Sequence, residues 1–392
     1  WLLTALKRVS RSISRGITPT YVENSPIKVI NQACIYWENL NLSNVKYHQE
    51  DTNISKGLLY KDDLIINSTG TGTLGRAAVF NFEGCYIADT HVTIVRLNNQ
   101  KVISKFLFYL LQTPIYQGYI YSALVAGATN QIELSREGLR NTFIACPHIK
   151  EQQAIANFLD QKTSEIDALI AGKEKLITLL EEKRQAMITE AVTKGLDPNV
   201  KMKDSGVEWI GEVPEHWEIQ PLFTLFEESK IKNIGNKEHN VLSLSYGKIV
   251  RRDVEANFGL LPESFETYQI VDKGNIVLRL TDLQNDKRSL RCGLVKEKGI
   301  ITSAYVALKA TCDIKEVYSY YLLYGYDLFK VFYGFGNGVR QSMGFVELKR
   351  MPILLPPIEE QIQIANFLEQ KTSEIDALNN EIRLQIQKLK EY

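Results

Sequence analysis

The stretch IANFLDQKTSEIDAL at 155–169 returns as IANFLEQKTSEIDAL at 364–378, and this repeat constrains the fold more than any other feature of the chain. From Glu151 to Leu169 against Glu360 to Leu378, 16 of 19 positions are identical, the exceptions being Gln153/Ile362, Ala154/Gln363 and Asp160/Glu369. A proline stands four residues upstream of each copy, Pro147 and Pro356, so both helices follow an extended segment. An offset of 209 residues is far too long for a solenoid unit of roughly 20–50 residues, so the pattern is a duplicated module: domain, helix, domain, helix.

Each copy carries residues that step by alternating four and three, the seam of a coiled coil. The seam of the second copy reads Ile364, Leu368, Lys371, Ile375, Leu378, Ile382, Gln385 and Leu389. That of the first reads Ile155, Leu159, Lys162, Ile166, Leu169, Lys173, Leu176, Leu180, Lys183 and Met187, with a helix expected to end near Thr193, before the GLDPN stop at Gly195. The polar segments QKTSE at 161–165 and 370–374 are also identical, which a seam alone does not require. Two helices with equivalent surfaces can pair antiparallel about a pseudo-twofold axis and present one docking surface twice, so two copies of one partner are expected. A plainer reading stays open, in which each helix covers its own domain.

At 392 residues the chain has room for two to three domains with sizeable cores. Hydrophobic residues at 44% and charged residues at 23% are those of an ordinary globular protein. The longest uncharged run, Phe106 to Ile132, is interrupted by Gln112, Pro114, Gln117, Gly118 and Asn130, which predicts two buried helices and no membrane span. Five cysteines without close pairs suit a reducing, cytoplasmic setting. The sequence opens on Trp1 and not Met, so part of the natural start is expected to precede it.

Two stretches share landmarks in the same order although their residues differ. An aromatic start, Trp1 or His216-Trp217, precedes a β-rich block, DDLIINSTGTGTLGRAAVF (62–80) or KGNIVLRLTDLQNDKRSLRCGLV (273–295). The alternating runs HVTIVRL (91–97) and YVALKA (305–310) predict strands. Aromatic helical runs follow, KFLFYLL (105–111) and YSYYLLYGY (318–326), and Gly-rich turns close each plan, AGATNQ (126–131) and GFGNGVRQ (334–341).

In these paired helices, in DSGVEWIGEVPEHWE (204–218), and in RLTDLQND with GVRQS (338–342), the chain resembles the specificity subunit of Type I restriction-modification systems over essentially its whole length. The resemblance implies an α+β architecture: two target-recognition domains joined by two long helices in an antiparallel coiled coil, as a pseudo-twofold repeat. The expected boundaries are 1–147 for the first domain, truncated at its N-terminus, 148–194 for the central helix and 195–205 for a linker. The second domain and the C-terminal helix are expected at 206–355 and 356–392. The truncation is expected because nothing like DSGVEWIGEVPEH precedes Trp1, and the second helix reaches Tyr392 before any counterpart of ITEAVTKGL (188–196). The resemblance further implies a non-catalytic subunit that reads a bipartite site on double-stranded DNA. Its partners would be two methyltransferase subunits using S-adenosylmethionine and, in the full complex, ATP-driven restriction subunits. The helices would then set the unread gap between half-sites, so that four residues inserted between Gly172 and Lys173 should lengthen it.

The residues must support that role by themselves. Residues 1–150 hold 15 Lys/Arg against 10 Asp/Glu, residues 206–350 hold 19 against 19, and the remainder 12 against 17. The basic first domain fits phosphate contact, and the neutral second suggests that partners supply much of it. Arg can fork onto guanine, Asn or Gln onto adenine, and glycine lets backbone approach. The first domain therefore offers Ser68, Thr69, Thr71, Thr73 and Arg76, then Thr129, Asn130 and Gln131, and less directly Arg15 and Thr18 in SRGITPT. The second offers Arg279, Thr281, Asp282, Gln284, Asn285, Arg288, Arg291, Arg340 and Gln341, with Ser245 and Tyr246 in LSLSYG. A solvated turn is the alternative for each.

For catalysis the chain offers little. GTGTLGRA (70–77) has P-loop spacing after a strand-like run, but Arg76 stands for the lysine and Ala77 for the magnesium-binding hydroxyl. The histidines at 48, 91, 148, 216 and 239 lack ligand spacing, and neither [DN]-P-P-[YF] nor G-x-S-x-G occurs. Neither a metal nor a cofactor is expected in this chain. Two alternatives remain beside DNA reading: a coiled-coil assembly scaffold whose domains bind proteins, and a nucleotide-dependent enzyme built on GTGTLGRA.

Overall fold

Strand-forming runs and the two repeated helices supply most of the regular backbone in the computed structural model, which describes residues 1–37, 40–50, 52–127, 132–252, 264–281, 283, 290–335 and 343–391. They divide into two units, 1–168 and 169–392, with the division inside the first repeated helix.

In the first unit four antiparallel strands run in the order Ser10–Arg15, Val92–Leu97, Leu64–Asn67, Ala77–Val79. Side chains alternate across a strand, and here both faces are covered. Leu64, Ile66 and Val95 share a core with Phe106, Leu107 and Leu111 of helix α1, Ser104–Gln112. Ile65 and Ile94 pack on the other side with Ile30, Ile35 and Phe80. That is why Leu64–Asn67 is buried at every position. A second sheet orders Tyr21–Val22, Lys46–His48, Ile27–Ile30 and Cys85–Ala88 beside it. The uncharged run breaks at Pro114: α1 stops at Gln112, and Thr113 caps a short helix, Pro114–Tyr119, which buries no residue and so is not the second buried helix the run predicted. Leu2–Ala5 pairs with Phe143–Cys146, just ahead of the long helix α2, Ile149–Lys194.

The second unit repeats the plan. Its strands run Phe226–Ser229, Val306–Ala310, Ile276–Leu278, Cys292–Leu294, and Glu218–Pro221 pairs with Pro352–Leu355. Helix α3, Glu316–Leu328, buries Tyr318, Leu322 and Tyr326, and helix α4, Ile358–Glu391, follows. The distal half of α2 lies against α4 through Lys173–Gln385 (2.6 Å), Glu181–Asn379 (2.7 Å) and Arg184–Asp376 (2.5 Å). Numbers rise on one helix as they fall on the other, so the pair is antiparallel.

The seam differs from the one read off the sequence. On α4 the buried positions are Gln361, Ile364, Ala365, Leu368, Thr372, Ile375, Asn379, Ile382 and Ile386. Lys371, Leu378 and Gln385 therefore give way to their C-terminal neighbours. The reason is that α4 packs against α3 as well as α2: the Thr372 hydroxyl meets Tyr321 Oη of α3 at 3.0 Å, and Asn379 donates to Glu181 of α2.

The repeat also preserves a buried bracket. Gln152 Nε2 donates to Pro147 O (2.9 Å) and its Oε1 accepts from Ile103 N (3.0 Å), ahead of α1. Gln361 does the same with Pro356 O (2.9 Å) and Lys315 N (3.0 Å), ahead of α3. Each glutamine ties a repeated helix to the start of its own unit's aromatic helix, and an unmade bond there would leave a buried polar group unsatisfied. Among the described residues no helix is long and apolar enough to cross a membrane.

Candidate nucleic-acid interface

GTGTLGRA connects two antiparallel strands, Leu64–Asn67 and Ala77–Val79. Gly70, Gly72 and Gly75 take φ of +94°, +81° and +85°, values that side chains with a Cβ rarely adopt. The N–H groups of Thr73 and Leu74 donate to Gly70 O, and Gly75 N donates to Asn67 O. A phosphate-cradling loop needs free amides and a helix behind it. Here the amides of Thr73, Leu74, Gly75 and Arg76 are engaged within the turn and a strand follows, so the stretch is a hairpin connection.

The side chains predicted to read bases separate into two groups. Ser68 is fully buried, its hydroxyl 2.6 Å from Thr93 Oγ1 and donating to Ile66 O at 3.2 Å, so it supports the loop and presents nothing outward. Thr73 donates to Thr69 O (3.0 Å), and Arg76 donates to Gly72 O (2.9 Å) while its guanidinium lies 5.8 Å from the ring centre of exposed Tyr36. Thr69 Oγ1 stands 2.8 Å from His91 Nδ1 and 3.3 Å from Gln32 Oε1. Thr18 and Thr71 are exposed.

Arg15 is a brace. Its guanidinium donates to Glu133 Oε1 (2.7 Å), Leu134 O (2.9 Å) and Thr90 O (3.2 Å). Burial draws its pKa down while Glu133 acts in the opposite sense. Thr129, Asn130 and Gln131 lie outside the described residues, but the strands on either side, Val125–Ala126 and Glu133–Leu134, pair with each other. Leu134 N donates to Ser68 O at 2.8 Å, which joins the end of this loop to the beginning of the glycine loop.

In the second unit Asp282, Gln284, Asn285, Arg288, Arg340 and Gln341 lie outside the described residues. Arg279 and Thr281 are half-buried where the strand Ile276–Leu278 ends. Arg291 corrects the sequence reading: it is fully buried, donating to Thr281 O (2.8 Å), Arg279 O (3.1 Å) and Tyr333 Oη (3.2 Å). An arginine so committed braces the end of the strand Ile276–Leu278 and is not a reader of bases. Met343 N donates to Leu280 O at 2.9 Å, the counterpart of the Leu134–Ser68 bond. Ser245 is half-buried, and Tyr246 is 83% exposed at the tip of the hairpin Leu242–Ser245/Lys248–Arg251, with φ of +46°. Tyr320 Oη holds that turn through Gly247 O (3.1 Å).

The sequence reading missed Gln32, Tyr36 and His91, which border the first glycine loop. Their segments, NQACIYW (31–37) and DTH (89–91), carry no glycine and no spacing signal, so nothing in the sequence marked them. Together the hydroxyls, amide, imidazole and guanidinium give donors and acceptors suited to base edges and phosphates, beside an exposed ring.

Comparisons with known proteins agree with this architecture. A family model described as Type I restriction modification DNA specificity domain matches residues 20–179 and 295–388. The putative type I restriction enzyme MjaX specificity subunit of Methanocaldococcus jannaschii is 24% identical over 384 residues, covering 94% of this chain and 86% of its own. The MjaVIII specificity subunit of the same organism is 28% identical over 199 residues, 48% of this chain and 44% of its own. A chain from a structural study of complex assembly and conformational transition of the type I R-M system superposes with a TM-score of 0.69 at 16% identity, covering 100% of this chain and 95% of that one. The HsdS subunit from Thermoanaerobacter tengcongensis does so with a TM-score of 0.58 at 15% identity, covering 99% and 95%. The family model matches well over half of the sequence, on both repeated helices and both units, and the chain belongs to the Type I restriction-modification DNA specificity family.

Proposed function

We propose that this chain is the DNA-reading subunit of a Type I restriction-modification complex, and that its two units read two different half-sites of one asymmetric sequence. The observation that carries this reading is the doubled frame with unlike loops. Strand order, the glutamine bracket and the backbone bond at the loop base recur (Leu134 N to Ser68 O, Met343 N to Leu280 O), whereas STGTGTLGR and RLTDLQND share little. A frame that repeats while its presented side chains diverge suits two readers of different sequences.

In this reading Thr69, Thr71, Arg76 and the segment around Asn130 face the first half-site, with Arg279, Thr281, Tyr246 and the segments around Arg288 and Arg340 at the second. Two methyltransferase subunits dock on the exposed faces of the repeated helices, where Gln161 and Lys162 bond Glu165, and Gln370 and Lys371 bond Glu374, in the same pattern. S-adenosylmethionine and ATP belong to the partner subunits. Sequencing of methylated adenines in cells carrying this chain with its modification partner should show one bipartite, non-palindromic motif. A palindromic motif, or none, would overturn the reading.

A further inference from the structure

Asp89 carries more hydrogen-bonding capacity than its turn uses. It follows the strand Cys85–Ala88, in the connection to Val92–Leu97. Its Oδ1 accepts from His91 N at 2.9 Å, and its main-chain carbonyl accepts from Val92 N at 3.1 Å. One side-chain oxygen closes such a turn, and asparagine supplies it as well as aspartate does. Among the described residues the second oxygen, Oδ2, meets no donor, although Asp89 is only 4% exposed. An acceptor left unfilled at that depth costs stability and needs a reason outside the turn.

Asp89 lines an open cleft of about 510 Å³ together with Tyr21, Asn31, Gln32, Lys46 and His91. Lys46 Nζ lies 4.9 Å from the centre of the Tyr21 ring and makes no ion pair with Asp89. Burial raises the Asp89 pKa, while the bond from His91 N and the nearby His91 and Lys46 act the other way. Two residues of the cleft also reach the first glycine loop: His91 Nδ1 stands 2.8 Å from Thr69 Oγ1, and Gln32 Oε1 stands 3.3 Å from it. The cleft is therefore continuous with the loop that would face the first half-site. A carboxylate there repels phosphate and accepts only from a donor. In the major groove adenine and cytosine are the bases that present one, their exocyclic amino group.

We infer that Asp89 is a specificity-determining residue of the first unit, whose free carboxylate oxygen accepts a hydrogen bond from the exocyclic amino group of an adenine or a cytosine. The inference rests on the DNA-reading function proposed above and adds to it the base chemistry that one side chain selects.

The test uses the complex of the full chain with its modification partner. Once the methylation motif is known, binding is measured on duplexes in which each adenine of the motif is replaced in turn by purine and each cytosine by pyrimidinone, analogues without the amino group. Asp89→Asn keeps an oxygen for His91 N, so circular dichroism should show the fold intact. At one position, removal of the amino group should weaken binding by the unchanged protein about tenfold and binding by Asp89→Asn not at all. A purine effect identifies adenine as the base, and a pyrimidinone effect identifies cytosine. A specific motif with losses that add at every position would overturn the inference and leave the DNA-reading function standing. A complex with no specific motif would overturn both.

Discussion

The buried residues at the base of the two recognition loops differ, although each loop follows the corresponding strand of its own unit's sheet, Leu64–Asn67 in the first and Ile276–Leu278 in the second. In the first unit the floor is small and neutral: Ser68 and Thr93 share a buried hydroxyl contact at 2.6 Å. In the second it is one large cation, Arg291, which fills its site and holds the carbonyls of Arg279 and Thr281. What persists is the backbone bond from the returning segment to the loop base, which no side-chain change can remove. A frame pinned by main-chain bonds lets the residues above and below it vary, and recognition by interchangeable loops requires that freedom.

The sharpest way to break this comparison is Arg291→Ala. It removes at least the side-chain hydrogen bonds to Thr281 O, Arg279 O and Tyr333 Oη and leaves a cavity, so it should cost about 3–5 kcal/mol in urea unfolding of the second unit. On the proposed reading, the methylation motif should lose its second half-site and keep its first. Thr93→Val, its counterpart in the first unit, should cost only about 1 kcal/mol, because Ser68 keeps its bond to Ile66 O. Equal losses from the two variants would show that the floors do not differ in kind.

Between these extremes, Gln152→Ala and Gln361→Ala should each cost about 2–3 kcal/mol, the first in the unfolding of unit one and the second in that of unit two. The brackets share two bonds of matching length, but Gln152 Nε2 also donates to Lys101 O (3.0 Å), so a loss at Gln361 larger than that at Gln152 would mean that the repeat is not energetically equivalent.

The smallest effect lies at Asp376. Burial raises its pKa, but Lys248 and Arg184 outweigh this and hold it below the ordinary value of 3.8. A carboxyl whose folded pKa is depressed contributes stability above its unfolded pKa and loses it as pH falls through the folded one. Asp376→Asn should therefore lower stability by about 0.5 kcal/mol at neutral pH, discounted for its partial exposure, with the difference fading as pH falls through the lowered pKa. A loss that persists at lower pH would assign the effect to packing and not to charge.

The repeated helices, the strand runs and the break at Pro114 were legible because each depends on residues close in sequence. Period, proline position and near-identity are local signals. The candidate site was only half legible. Glycine-flanked polar loops marked where readers could stand, yet nothing in DLIINST or RSLRCG distinguished buried Ser68 and Arg291 from exposed Thr71. Burial of a polar residue is decided by whether distant groups complete its hydrogen bonds, here Thr93 for one and Tyr333 for the other.

The sequence by itself determined that this protein is a doubled module with two long helices, because a 16-of-19 match and a four-three step leave few other folds open. Only the tertiary structure decided which face of α4 is the seam. Thr372 and Asn379 are buried there in place of Lys371 and Leu378 because α3 and α2 pack on that helix from two sides, and Tyr321 and Glu181 supply the partners that two polar side chains need. Periodicity fixes how often a helix meets a neighbour; where the neighbours stand fixes which residues they meet.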